Sequence, residues 1–213
     1  MSGKTDRTKQ HIIATFFEMM NEMGFEQIRV STLAKRAEIN RGTFYHHFMD
    51  KEDIIEEVEG EIKDSFRELM GEMLRMRAGH KKTPRDGMNG SKATQQMFET
   101  SCLLVMKFLY ERRDITTILV GKNGRPQFIE ELGDIYCDMI SANVEVEFPG
   151  EAYQLNYLQG FVFSGMLATV KSWLRNGAKE SPEEISRLLS INLATAPVRI
   201  YDDEFWEQGH LLN

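Results

Sequence analysis

The sequence contains few cysteines and prolines and has no long apolar run. Two cysteines, Cys102 and Cys137, in 213 residues are too few for a secreted disulfide scaffold, so we expect two reduced, buried thiols. The five prolines all lie between periodic segments, as an all-helical protein requires. The longest apolar stretch, residues 161–170, is much shorter than the roughly 20 residues of a membrane span. The first residues are polar and do not resemble a signal peptide. We therefore expect a cytoplasmic protein that does not enter the membrane.

An excess of basic charge is also missing from the chain as a whole. The net charge is −7, which excludes a polycationic nucleic-acid coat protein. However, residues 1–51 carry eight basic against six acidic side chains and hold three of the five histidines, whereas residues 52–213 carry 18 against 27. This asymmetry, a small basic segment ahead of an acidic body, is a clue to function.

Apolar residues recur with the period of an α-helix along most of the chain. The pattern predicts an all-α protein of about nine helices without internal repeats. Besides two short helices within residues 31–48, the predicted helices cover residues 5–23, 51–77, 92–112, 114–120, 126–147, 151–177 and 182–196. The helix over 51–77 would be about 40 Å long, enough to connect two domains. We therefore predict one domain over residues 1–50 and a second over residues 51–213.

Residues 31–48 have the pattern of a helix-turn-helix. We expect Ser31 to cap the first short helix and Asn40 to cap the second. Phe44 and Phe48 are four residues apart, so both face inward from the second helix. The opposite face of such a helix enters the major groove of DNA, where residues of its first turn meet base edges. Lys51 and the start of the following helix offer a phosphate site.

The same segment carries a specific set of motifs: Ala34, then Gly42-Thr43-Phe44-Tyr45-His46-His47-Phe48, then Lys51-Glu52-Asp53-Ile54. Over about residues 5–55 it resembles the TetR family of bacterial transcriptional regulators. It departs from that pattern at Glu38, where glycine is frequent, at Phe44, where leucine or isoleucine is usual, and at Ile54, where leucine is usual. The outward face and the resemblance together predict a DNA-reading surface made of Thr32, Arg41, Gly42, Thr43, Tyr45, His46 and Lys51.

The resemblance also implies a function. Such proteins are homodimers that bind a palindromic operator in double-stranded DNA, usually as repressors, and a small ligand in the carboxy-terminal domain commonly releases them. An activator or architectural regulator without an inducer is the alternative. We expect no enzyme, because the sequence has no nucleophile–histidine–acid set and no nucleotide-binding loop. We also expect no metal or other cofactor: His46 and His47 are adjacent on a helix and point about 100° apart.

Taken singly, each of the thirteen methionines is expected to pack in the core. Together with several aromatic residues on inward stripes, they favour an adaptable cavity in the second domain. An apolar or aromatic ligand is expected there, with Tyr136 as a polar contact. The candidate walls are Phe66, Met70, Phe98, Cys102, Met106, Phe128, Tyr136, Met139 and Phe161.

The segment 151–177 is apolar on nearly its whole circumference, so it must be covered on all sides. A partner subunit would cover it in a four-helix bundle with residues 182–196; a central core helix in a monomer is the alternative. The candidate dimer contacts are Gly160, Val162, Gly165, Thr169, Trp173, Ile185, Leu188 and Leu189.

Overall fold

A computed structural model describes the backbone of residues 2–79, 92–147 and 152–195, and the side chains of residues 6–76, 99–140 and 160–190. The described backbone forms nine α-helices and no strand, which confirms the all-α prediction. The helices are α1 Ser2–Met23, α2 Val30–Arg36, α3 Arg41–His47, α4 Lys51–Gly79, α5 Lys92–Glu111, α6 Arg113–Val120, α7 Gln127–Glu147, α8 Ala152–Arg175 and α9 Pro182–Thr195. A 3₁₀ turn, Phe25–Gln27, separates α1 from α2. The seven longer predicted helices agree with these bounds to within three residues.

Side-chain caps fix the start of two helices in the amino-terminal part. The carboxamide oxygen of Asn40 accepts a hydrogen bond of 2.7 Å from the amide of Thr43, as predicted. Asp50 does the same for α4, accepting from the amide of Asp53 at 2.8 Å. The predicted cap at Ser31 is wrong, because α2 begins one residue earlier, at Val30, and no side-chain bond caps it.

The helices α1, α2 and α3 and the first turns of α4 form a small head, residues 6–58. Its centre is fully buried and aromatic. The body follows: α8 packs against α7 and α6, while α9 packs against α5. The buried side chains of head and body form one continuous apolar cluster, so α4 carries the core from one into the other. Its apolar stripe runs through Ile54, Val58, Ile62, Phe66, Met70 and Met73.

Candidate DNA-binding surface and ligand cavity

The helix α3 is held against the head by one face only. Phe44 and Phe48 are buried in the core with their ring centroids 6.1 Å apart. The Asn40 cap fixes the first turn of α3, where Thr43 also donates from its hydroxyl to the Asn40 carboxamide oxygen at 3.1 Å. The opposite face of α3 is therefore free to meet a partner, and its first turn is held in one conformation.

The predicted DNA-reading residues lie together on the outside of the head. Arg41, Gly42 and His46 are exposed, and Tyr45 is 58% exposed although its ring contacts Phe44 edge-on at 5.5 Å. Thr43 is half-buried beside its cap, and Thr32 is exposed on α2. Their contact with DNA stays a prediction, but the head presents them on the surface as a recognition helix requires.

Sequence reasoning missed Lys35, a basic side chain on the neighbouring helix. Lys35 is exposed and lies three residues after Thr32, so both belong to one face of α2. The i, i+3 spacing was visible in the sequence. Lys35 therefore joins the candidate surface as a phosphate contact.

Lys51, the predicted phosphate contact at the start of α4, also makes contacts within the head. Its ammonium group donates to the carbonyl oxygen of Phe25 at 3.0 Å and lies 4.3 Å from the centre of the Phe25 ring. These contacts tie the start of α4 to the 3₁₀ turn. Lys51 therefore stabilises the head, and its contact with a DNA phosphate stays a prediction.

The adjacent histidines have different surroundings. His46 is exposed, whereas His47 is half-buried and its ring lies 6.5 Å from that of Phe48. Burial lowers the pKa of His47, and the neighbouring His46 and Lys9 lower it further. His47 is accordingly a neutral packing residue at pH 7, and the exposed His46 is the better placed of the two to donate to a phosphate.

The turn between α2 and α3 contains a backbone conformation that favours glycine. Glu38 has φ +54°, in the left-handed region, and its amide donates to the carbonyl of Lys35 at 3.2 Å. Glu38 is the position at which the sequence departs from the glycine frequent in the family. The turn forms nonetheless, because Ile39 follows it and packs onto the core.

A cavity of about 250 Å³ lies in the body between α5, α7 and α8, with Phe66 of α4 at one wall. It contains four of the candidate wall residues, Phe66, Cys102, Met106 and Tyr136. The remaining described lining residues are Ser101, Val105, Leu109, Ile129, Leu132, Gly133, Asp134, Cys137, Gly160, Phe163, Ser164, Met166, Leu167 and Val170.

The other candidate wall residues lie elsewhere. Met70 and Phe128 are fully buried in the core and do not line the cavity, and Met139 packs on that core without lining it. Phe161 is 76% exposed, because α8 turns Phe163 and Met166 toward the cavity and Phe161 away from it. The side chain of Phe98 lies outside the described residues.

Both cysteine thiols line the cavity and are unbonded to each other. Burial raises the pKa of Cys102 to about 11, with a further contribution from the carboxylate of Glu99. Burial also raises the pKa of Cys137, as do the carboxylates of Asp134 and Asp138. Both thiols are therefore protonated near neutral pH, and they serve the cavity as apolar wall rather than as nucleophiles.

The predicted dimer contacts divide into two groups. Trp173, Ile185 and Leu189 are buried inside the protomer, which contradicts their assignment to an interface. The indole of Trp173 stacks on Tyr110 with centroids 6.2 Å apart, and its Nε1 donates to the carbonyl of Glu180 at 3.1 Å. These residues fill the space between α5, α8 and α9.

The second group stays on or near the surface. Gly160 and Gly165 are exposed, and among the described residues no neighbouring atom lies within 4 Å of a Cβ placed at either. Leu188 is 48% exposed. Val162 and Thr169 are half-buried, and the Thr169 hydroxyl donates to the carbonyl of Gly165 at 3.0 Å. Together with Phe161, they leave an apolar surface on α8 and α9.

A buried carboxylate lies where head and body join. Glu59 of α4 is 3% exposed; its Oε2 lies 3.2 Å from the guanidinium of Arg125 and 3.7 Å from the ammonium of Lys63. Lys63 also pairs with Glu131. The Oε1 atom of Glu59 has no hydrogen-bond partner. Burial raises the pKa of Glu59 more than the two cations lower it.

Two general features are absent from the described residues. None of the helices there is long and apolar enough to cross a membrane. The same part of the chain contains no group of three or more His, Cys, Asp or Glu side chains arranged to hold a metal ion.

Comparison with known proteins gives matches to both parts of the chain. Residues 12–58 match the family model for bacterial regulatory proteins of the tetR family, and residues 96–194 match the model for the C-terminal region of a transcriptional regulator. The HTH-type transcriptional repressor NemR of Escherichia coli K12 is 40% identical over 45 residues, which are 21% of this chain and 23% of NemR. The match therefore covers less than a quarter of that relative.

Solved structures resemble this chain over most of its length. A transcriptional regulator from Aquifex aeolicus VF5 superposes with a TM-score of 0.56 at 21% identity, covering 87% of this chain and 97% of that one. The dihydroxyacetone kinase operon activator DhaS gives 0.55 at 18% identity, covering 92% and 98%. The regulator FadR from Bacillus subtilis, solved in complex with stearoyl-CoA, gives 0.50 at 20% identity, covering 88% and 97%. With a helix-turn-helix head that matches one family model and a helical body that matches the other, the chain belongs to the TetR family of transcriptional regulators.

Proposed function

We propose that the protein is a repressor that binds a palindromic operator in double-stranded DNA as a homodimer and is released by a small ligand. The observation that carries this proposal is the geometry of α3. The helix is capped by Asn40 and anchored by Phe44 and Phe48, and it presents Arg41 and Tyr45 outward. Such a helix is suited to the major groove. The protein would act in the cytoplasm.

A homodimer is supported by the outer surface of α8 and α9. Phe161 and Leu188 are large apolar side chains that the protomer leaves exposed. Gly160 and Gly165 leave room for close approach of a second helix. A single head makes few base contacts, whereas two linked heads bind as one unit with a large gain in effective concentration. We therefore assign this surface to a second copy of the chain.

Release by a ligand is supported by the cavity between α5, α7 and α8. A ligand shifts the protein off DNA only if it binds the non-binding conformation more tightly than the DNA-binding one. The test is calorimetry of the same compound with free and operator-bound protein. Equal affinities for the two forms across a library of apolar compounds would contradict an inducer.

The DNA-binding part of the proposal is tested by selecting bound duplexes from a random-sequence pool and measuring affinity by fluorescence anisotropy. We expect a palindromic consensus. Arg41→Ala should weaken binding to the consensus duplex by about 1–3 kcal/mol. It should also relax the base preference at one position in each half-site. Arg67→Ala, an exposed change on α4 in the body, is the matched control and should leave affinity unchanged. A consensus without two-fold symmetry, or an Arg41→Ala variant with full affinity, would contradict the assignment.

Repression, as opposed to activation, needs a separate measurement. The relative NemR is a repressor, whereas DhaS, which shares the fold, is an activator. We expect purified protein to reduce transcription in vitro from a promoter that overlaps the selected operator. Increased transcription from promoters with the operator placed upstream, and no reduction at the overlapping one, would favour an activator.

A further inference from the structure

We propose that the cavity between α5, α7 and α8 takes a lipophilic cation, an amine or quaternary ammonium group on an apolar or aromatic body. This inference rests on the proposed ligand control and specifies the class of ligand. It is carried by the distribution of charge and of aromatic rings along the cavity wall.

The wall is apolar over most of its surface and carries charge of one sign. Among the described lining residues Asp134 is the only one with an acidic side chain. Asp134 is exposed, so it marks the open side of the cavity. No lysine, arginine or histidine is among the described lining residues. An anion entering this cavity would therefore lose its water without gaining a counter-charge there, which is costly.

Further carboxylates add to the negative potential around the cavity. Glu99 acts on Cys102 and Asp138 acts on Cys137, in each case raising the pKa of a thiol in the wall. Charges near a low-dielectric pocket interact more strongly than they would in water. These carboxylates therefore favour a positive guest over a neutral guest of the same shape.

Aromatic rings in the cavity wall provide further contacts for a cationic ligand. Phe66, Tyr136 and Phe163 line the cavity, and the rings of Tyr136 and Phe163 meet edge-to-face with centroids 4.6 Å apart. A ring face attracts a cation, so aromatic residues in the wall favour a cationic ligand. The sulfur atoms of Met106 and Met166 provide a polarisable wall for the apolar body.

The volume limits the size of the guest. At about 250 Å³ the cavity is smaller than the roughly 300–1,000 Å³ typical of sites for drug-sized ligands. Such a space suits a single ring with a short chain. The FadR neighbour was solved with stearoyl-CoA, but a long-chain, polyanionic thioester disagrees with this cavity in both size and charge.

A matched series of probes tests the charge preference. 4-Phenylbutylamine, 4-phenylbutanol and 4-phenylbutyrate share one body and differ in carrying a cation, a neutral group or an anion at neutral pH. Each is titrated into the full-length protein by calorimetry at low and at high salt. We expect the amine to bind most tightly and the carboxylate most weakly, and the amine alone to lose affinity as salt screens its charge.

Two variants test whether Asp134 causes the preference for a cationic ligand. Asp134→Asn should lower the affinity for the amine about two- to fivefold, the range for a partly exposed ion pair. The affinity for the alcohol should not change. Asp114→Asn, the same change at an exposed position of α6, is the control for net charge. It should change neither the affinity for the amine nor that for the alcohol. Tighter binding of the alcohol or the carboxylate, no binding of the amine, or an amine affinity indifferent to Asp134→Asn would overturn the proposal. Because the titration contains no DNA, its outcome is independent of whether the operator proposal holds.

Discussion

The side chain of Asn123 donates a hydrogen bond from Nδ2 to the carbonyl oxygen of Asn21, 3.0 Å away. Asn21 lies in the last turns of α1, in the head, and Asn123 lies in the turn that joins α6 to α7, in the body. The next residues of that turn reach α4 as well, where Arg125 pairs with the buried Glu59. One short turn of the body is therefore bonded to α1 in the head and to α4 where head and body join.

We expect Asn123→Ala to lower the free energy of unfolding by about 0.5–1 kcal/mol, because it removes one hydrogen bond at an exposed position. Hydrogen exchange should also increase at the carboxy-terminal amides of α1, which lose this contact with the body. Lys122→Ala, the exposed neighbouring position, is the control. Unchanged exchange at α1 in Asn123→Ala would show that the bond does not hold head and body together.

Glu38→Gly should stabilise the head. The left-handed backbone of Glu38, with φ +54°, costs about 1–2 kcal/mol for a residue with a side chain, and glycine removes that cost while adding some backbone entropy to the unfolded chain. We expect a net gain of about 0.5–1 kcal/mol in chemical denaturation. Glu38→Ala keeps the strain and removes only the carboxylate, so it should give no such gain. Equal gains in both variants would assign the effect to charge and not to the backbone.

Much of this fold was predictable because its determinants are local. Helix spans follow from a 3.6-residue period that prolines interrupt only at the ends, and Asn40 and Asp50 are strong caps that bond residues three positions later. The recognition helix was predictable for the same reason. Its exposed and buried faces are fixed by Phe44 and Phe48, four residues apart.

Features that depend on tertiary contact were not predictable. The helix α8 is apolar on nearly all sides, so periodicity gives no direction to its faces, and Phe161 was placed in the cavity although it points outward. The apolar pattern of α8 predicts Trp173 at an interface. Its ring instead stacks on Tyr110 of the same protomer, a residue far from it in the sequence. The bond between Lys51 and Phe25 likewise joins residues far apart in the chain.

Glu59→Gln should change how stability depends on pH. The pKa of Glu59 is raised above its ordinary 4.5 in the folded protein, so its ionisation opposes folding. Its contribution to stability is full below the unfolded pKa and is lost as the pH rises through the folded pKa. The stability of the wild type relative to Glu59→Gln should therefore fall as the pH rises from near 4.5.

Denaturant unfolding of both proteins, at pH values from near 4.5 upward, measures the difference between their free energies of unfolding. Glu61→Gln, an exposed carboxylate on the same helix, is the control and should track the wild type at every pH. A wild type that instead gains stability relative to Glu59→Gln as the pH rises would mean that Arg125 and Lys63 outweigh burial.

Gly165→Arg tests the proposed dimer surface. A Cβ at Gly165 meets no neighbouring atom within 4 Å, so a long side chain fits the isolated protomer without disturbing its core. In a dimer packed through α8 and α9 the same side chain would place a cation in a close helix crossing. We expect monomers in analytical ultracentrifugation, an unchanged helical circular dichroism spectrum, and operator binding weakened at least about 100-fold by loss of the linked second head. Gly60→Arg, which has equally open space on α4, should remain dimeric. An intact dimer with normal operator affinity for Gly165→Arg would place the interface elsewhere on the protein, because a buried, unpaired cation at a helix crossing is too costly to be absorbed.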